Sequence, residues 1–139
     1  MIILDTNVVS EPMKSNANPV VQTWLDRQVA ETLYLTATSL SELLLGIEIL
    51  PNGKRKKGLG GALSELLLGL FESRILPFDR EAATAYAPMV GRVRRTGCHI
   101  SVADGQIAAI ATVHGFSVAT RDIAPFTAAG VPVINPWEE

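Results

Sequence analysis

Short apolar blocks, each cut off by a polar or turn-forming residue, alternate along the chain with longer stretches where apolar positions recur every three or four residues. Ile2-Ile3-Leu4 ends abruptly at Asp5, and Leu33-Tyr34-Leu35-Thr36-Ala37 is rich in strand formers, so both read as buried strands. Three further short candidates are Ile75-Leu76-Pro77-Phe78, Phe116-Ser117-Val118-Ala119 and Val131-Pro132-Val133-Ile134, each bounded by turn or cap residues. Helical stretches lie between them. Pro19 through Val29 begins with proline and is amphipathic, while Leu40 to Leu50 and Ala62 to Phe71 are strongly apolar. Asp79 reads as the N-cap of a helix through Arg95, with a kink expected at Pro88 and Gly97 beyond its end. Val102 to Val113 is alanine-rich and stops near Gly115. The glycine- and lysine-rich stretch from Pro51 to Gly61 reads as a loop or hinge between two apolar helices. Strands alternating with helices predict a three-layer α/β domain with a largely parallel sheet.

At 139 residues, 47% of them apolar, the chain is expected to form a single domain over 1–139 with one substantial core. No internal repeat or low-complexity linker interrupts it. The apolar runs are too often broken by charge, glycine or proline to make a signal peptide or membrane span, which leads to the expectation of a soluble, cytoplasmic protein without membrane contact. Cys98 is alone, which excludes an internal disulfide and a multi-cysteine zinc site. His99 and His114 read as ordinary loop or helix-end residues. A net charge of −2 argues against a surface built mainly to grip phosphates, although positive charge is concentrated at Lys54-Arg55-Lys56-Lys57 and at Arg92, Arg94 and Arg95. The Lys54 to Lys57 run reads first as a solvated loop and second as an RNA-backbone contact. Gly58-Leu59-Gly60-Gly61 follows no strand and is no dinucleotide fingerprint; Gly53-Lys54 lacks the P-loop framework.

Four acids share a pattern. Asp5 and Asp122 follow strand candidates, and Glu42 and Asp104 fall in the first turns of the helices that begin near Ser39 and Ser101. Ligands of open parallel sheets bind beyond the carboxyl ends of the strands. Taken singly, helix capping by the Ser-x-x-acid pattern explains Glu42 and Asp104, capping of the segment after the strand through Thr6 and Asn7 explains Asp5, and pairing with Arg121 or a turn explains Asp122. Taken together, acids gathered at strand ends repel one another unless a cation is present. Carboxylates without Cys or His suit hard ions that keep bound water, Mg²⁺ first and Mn²⁺ second. Such ions serve phosphoryl chemistry, and phosphodiester hydrolysis by water is the natural reaction.

Leu4-Asp5-Thr6-Asn7, Ser41-Glu42-Leu43, Ala103-Asp104 and Ala119-Thr120-Arg121 resemble PIN-domain VapC toxins. Ser10-Glu11-Pro12, Trp24-Leu25-Asp26, Asn52-Gly53-Lys54, Arg74 to Asp79 and Asn135-Pro136-Trp137 are most similar to the FitB branch of that family. The resemblance implies a five-stranded parallel sheet flanked by helices and a Mg²⁺- or Mn²⁺-dependent endoribonuclease. It further implies a homodimer and inhibition by a small antitoxin that blocks the acidic pocket and alone supplies contact with DNA. Asp5, Glu42 and Asp104 match the family's core metal-binding acids and Asp122 the fourth, with Thr6, Asn7 and Thr120 lining the same pocket. Asp122 stands where the commoner pattern has Asn, and Pro125 precedes Phe126. Transfer RNA is the first candidate substrate.

Two other functions compete. The first is a catalytically silent subunit that acts with its antitoxin as a DNA-bound repressor, with exposed apolar helix surface at Leu43-Leu44, Leu66-Leu67 or Phe71 forming the partner groove or dimer face. The second, a phosphatase with Asp5 as nucleophile, lacks the second acid two residues on that the haloacid-dehalogenase pattern provides.

Overall fold

The computed structural model describes residues 1–139. Five strands form one sheet in the order β3-β2-β1-β4-β5: β1 (Ile2–Leu4), β2 (Leu33–Thr36), β3 (Ile75–Leu76), β4 (Ser117–Ala119) and β5 (Val133–Ile134). Every neighbouring pair is parallel. Parallel neighbours require crossovers. Seven helices lie between the strands: α1 (Thr6–Ser10), α2 (Pro19–Asp26), α3 (Ala37–Glu48), α4 (Lys54–Leu66), α5 (Arg80–Arg95), α6 (Val102–His114) and α7 (Ala124–Ala128). The predicted α/β architecture and all five strand positions are therefore present. Strand order reverses between β1 and β4, which pair Leu4 with Ala119 at their carboxyl ends. A crevice is expected there, because the connections leaving the two strands turn to opposite faces of the sheet.

Successive strand residues point to opposite faces and so feed two cores. Ile3 and Val118 pack with Val90, Val93, Ile107, Ile110 and Phe126 beneath α5, α6 and α7. Leu4 and Ala119 pack on the other face with Val8, Trp24, Leu43, Leu63 and Phe71 beneath α1 to α4. Phe71 and Phe126 are completely buried, one in each layer, and each contributes about 2 to 3 kcal/mol of apolar burial. Gly105 sits where α5 and α6 press together. A Cβ there would lie 2.7 Å from Tyr86 Cε2 and 3.0 Å from Val90 Cγ2, so glycine is what lets α6 approach.

Proline trims the strand ends: β3 stops before Pro77, and β5 starts after Pro132. α5 runs from its Asp79 cap through Pro88 to Arg95 as a single helix. Two expectations need correction. The stretch from Pro51 to Gly61 is not a loop throughout, because α4 begins at Lys54. Gly53, at a φ of 156° that L side chains rarely adopt, makes the turn. Leu59, Leu63, Leu66, Leu67, Leu70 and Phe71 then continue one apolar stripe at helical spacing, and burial of that stripe outweighs the helix penalty of Gly58, Gly60 and Gly61. The second correction is at α3, whose N-cap is Thr36 and not Ser39. The Thr36 hydroxyl accepts the Ser39 N–H at 3.0 Å, so strand β2 turns straight into the helix. The five-residue helices α1 and α7 are too short to leave a periodic signature.

Candidate active site

Asp5 is the first residue after β1. Its backbone N–H donates to the Ala119 carbonyl at 2.9 Å, which extends the β1–β4 ladder by one step and aims the side chain at the crevice. One carboxylate oxygen accepts the Thr6 N–H at 2.8 Å, making Asp5 the N-cap of α1. The other accepts the Thr120 hydroxyl at 2.8 Å. Thr120 is fully buried and its oxygen also accepts the Asp122 N–H at 3.1 Å, so one hydroxyl organises both acids. Asn7 Oδ1 accepts the Arg121 N–H at 3.4 Å and ties α1 to the loop after β4.

Glu42 and Asp104 arrive from the two helices that flank the crevice. The corrected start of α3 places Glu42 in the second turn, beyond reach of the N-terminal amides, so helix capping does not explain it. Its carboxylate is instead held by the Thr6 hydroxyl at 2.7 Å. Asp104 lies in the first turn of α6, where its N–H donates to the Ser101 cap at 3.1 Å. Thr38 donates to Gln106 Oε1 at 3.0 Å, locking α3 to α6 beside these two acids. Nothing in the sequence flags that pair, because sixty-eight positions separate two unremarkable polar residues.

Asp5 and Asp104 each feel the charge of neighbouring acids. Burial pushes the Asp5 carboxyl up to about 6, with the Thr120 and Thr6 hydrogen bonds opposing the rise and the charges of Asp104 and Glu42 adding to it. Asp104 is also raised, first by burial and then by the charges of Asp122 and Glu42, with Ser101 and His99 acting the other way. His99 is thus the one positive influence among those that shift these two acids. No three of the acids close around a common point as a dense cage. Mg²⁺ does not require one: it keeps several waters and takes one or two carboxylates directly. An all-oxygen donor set, partly buried and mutually repelling, fits such an ion.

An open groove of about 770 Å³ runs from Thr6 and Glu42 between α1, α3 and α4, floored by Met13, Leu43, Ile47, Leu50 and Leu59 and edged by Arg55. It joins the acidic crevice on the Glu42 side only. Of the basic run, Lys56 caps the end of α3 by donating to the Glu48 carbonyl at 2.9 Å, while Lys54 and Lys57 are exposed. These four residues form the first turn of α4, not a loop. The expected partner surfaces differ in exposure: Leu44 is half exposed, whereas Leu43 and Phe71 are core residues.

The PIN domain family matches this chain over residues 2–130. The chain is 46% identical over 138 residues to the VapC ribonuclease Y4jK of Sinorhizobium fredii, covering 99% of each chain. It is 47% identical over 139 residues to the toxin FitB of Neisseria gonorrhoeae, covering 100% of each. The structure of FitAB bound to an IR36 DNA fragment superposes with a TM-score of 0.94 at 46% identity, covering 99% of this chain and 96% of that one. With its acids at the switch point of a five-stranded parallel sheet, this chain belongs to the PIN-domain family, in the branch that holds the VapC and FitB proteins.

Proposed function

We propose that this protein is a metal-dependent endoribonuclease, the toxin of a toxin–antitoxin pair, in which Asp5, Glu42, Asp104 and Asp122 hold Mg²⁺ or Mn²⁺. The observation that carries the reading is the Asp5 carboxylate: buried, raised to about 6, and surrounded by further acids rather than by a cation of the chain's own. A carboxylate kept in that state gains most from a bound divalent ion. When bound, the ion supplies Lewis acidity toward the phosphodiester and activates water. The protein's residues do the remainder. Thr120 and the Thr6 amide fix both oxygens of Asp5, the Thr6 hydroxyl fixes Glu42, and the Ser101 cap and the Thr38–Gln106 bridge set α6 and thereby Asp104. No side-chain nucleophile takes part. Thr6, Asn7 and Thr120 line the pocket, and Asp122, exposed like Glu42, completes it from the strand side.

The partners in this reading are an RNA substrate, with transfer RNA the first candidate, and a small antitoxin that seals the acidic pocket. The protein acts in the cytoplasm as a homodimer and reaches DNA only through the antitoxin. The DNA-bound relative supports this partner set and favours a second role, co-repression, which coexists with cleavage. No helix is long and apolar enough to cross a membrane.

The test is cleavage of a pooled tRNA and rRNA substrate by antitoxin-free protein in Mg²⁺, Mn²⁺ or EDTA, beside the Asp5→Asn variant. Metal-dependent cleavage absent from a folded variant is the expected result. Measurable metal binding with no cleavage of any RNA would leave co-repression as the function.

A further inference from the structure

Arg121 follows Thr120 at the mouth of the crevice, yet it neutralises none of the acids. The chain's one ion pair is Lys14 with Glu11, and no arginine contributes to the shifts of Asp5 or Asp104. The guanidinium carbon instead stands 5.2 Å from the ring centroid of Trp137. The only hydrogen bond of Arg121 is through its backbone, to Asn7, and its side chain is exposed. Trp137 is itself fixed: it packs on the core beneath α1 to α4, and Asn135 Oδ1 accepts its N–H at 3.0 Å in a turn that delivers the indole to this position. A guanidinium resting over an indole ring keeps its N–H groups free of protein partners, and those groups suit a phosphate.

We propose that Arg121, held by Trp137, is a phosphate-binding residue that grips the RNA backbone beside the acidic centre, with Trp137 as its positioning residue. The inference rests on the ribonuclease reading above. Parking the cation on an indole solves a conflict within the site. An arginine folded into the crevice would pair with the carboxylates and compete with a divalent ion; an arginine left to solvent would lose side-chain freedom on binding RNA. The indole keeps the charge off the acids and already ordered, on the residue that joins Thr120 to Asp122. An unpaired guanidinium on the residue between Thr120 and Asp122 is complementary to a strand whose scissile phosphate enters the acidic pocket and whose next phosphate lies outside it.

The test uses full-length protein. Binding of a short fluorescein-labelled oligouridylate to the cleavage-silenced Asp5→Asn protein is followed as salt is raised, with and without Arg121→Gln, Arg121→Lys or Trp137→Leu. Circular dichroism and thermal melting establish that each variant is folded. Loss of one phosphate contact lowers the salt slope by about 0.7. Arg121→Gln should show that loss and bind roughly tenfold more weakly at low salt. Arg121→Lys should keep the slope with reduced affinity, and Trp137→Leu should weaken binding without removing the slope. In otherwise wild-type enzyme cleaving pooled RNA, Arg121→Gln should raise KM more than it lowers kcat. Unchanged slope and affinity in Arg121→Gln, with a parent that binds and cleaves, overturns the inference alone. A parent that neither binds nor cleaves RNA overturns the ribonuclease reading and the inference together.

Discussion

The Thr6 hydroxyl donates to Glu42 Oε1 at 2.7 Å while its backbone N–H donates to Asp5, so one residue at the start of α1 aligns two acids from different elements. Thr6→Val keeps the shape and the backbone bond but leaves Glu42 unheld. Cleavage should fall by about tenfold, the equivalent of roughly 1.4 kcal/mol, through weaker metal affinity and with little change in melting temperature. Titration of Mg²⁺ against activity checks this, and an unshifted midpoint would show that the bond does not position Glu42.

The raised Asp5 pKa has a stability consequence whose sign is opposite to that of an ordinary paired carboxylate. Its folded value, about 6, lies above the ordinary 3.8. The group therefore adds nothing unfavourable below about pH 4, where both folded and unfolded forms are protonated. Stability is lost as pH rises through 6. In EDTA, Asp5→Asn should be more stable than the parent at pH 7, by on the order of 1 to 3 kcal/mol, and equal to it near pH 4. Adding Mg²⁺ at pH 7 should stabilise the parent and not the variant. Melting curves at the two pH values, with and without metal, decide it.

Gly105→Ala tests the crossing of α5 and α6. The added methyl would meet Tyr86 at 2.7 Å, so the expected cost is about 1 to 3 kcal/mol despite alanine's better helix propensity. Pairing it with Tyr86→Leu should recover part of the loss, because the atom it strikes is then absent. Denaturant unfolding of the three variants measures both effects.

The first turn of α4 is made of Lys54, Arg55, Lys56 and Lys57, and the helix contains Gly58, Gly60 and Gly61. Positive charge at a helix N-terminus opposes the macrodipole, and each glycine costs close to 1 kcal/mol relative to alanine. Amides in this first half of α4 should exchange with solvent much faster than those of α6, whose residues Ile107 to Ala111 are all buried. Hydrogen exchange by mass spectrometry on the free protein reads this directly, and equal protection would show that packing fully compensates.

That same stretch marks where the sequence was legible and where it was not. Ile2-Ile3-Leu4 and Phe116 to Ala119 were readable as strands because apolar blocks ending at turn residues have few alternatives, and Asp79 announced its helix by its chemistry. The beginning of α4 was hidden, since the glycines that suggest a loop are overridden by a leucine stripe that acquires meaning only against the core. Thr36 is the last residue of β2, as the sequence implies, but its second role as the cap of α3 was not legible because the same hydroxyl serves both. The proposed convergence of Asp5, Glu42, Asp104 and Asp122 rests, in the sequence, on their places at strand ends and helix starts. What holds them was not legible, because the Thr38–Gln106 and Thr120–Asp5 bonds join positions that no local pattern connects.

The hydrogen bond between Thr120 and Asp5 spans 115 residues, and it lies at the junction of the first and fourth strands. During synthesis Asp5 and Glu42 leave the ribosome long before β4 exists to pair with β1. Closing so long a loop is entropically late in any folding route, since distant contacts form after local ones. A nascent chain therefore carries most of its acids without an assembled centre, and competence for catalysis arrives in one step when β4 docks beside β1. On the ribonuclease reading, a ribosome making this protein is spared from its product until translation is nearly complete, and a chain truncated before Ser117 is harmless for a topological reason in addition to its loss of Asp122.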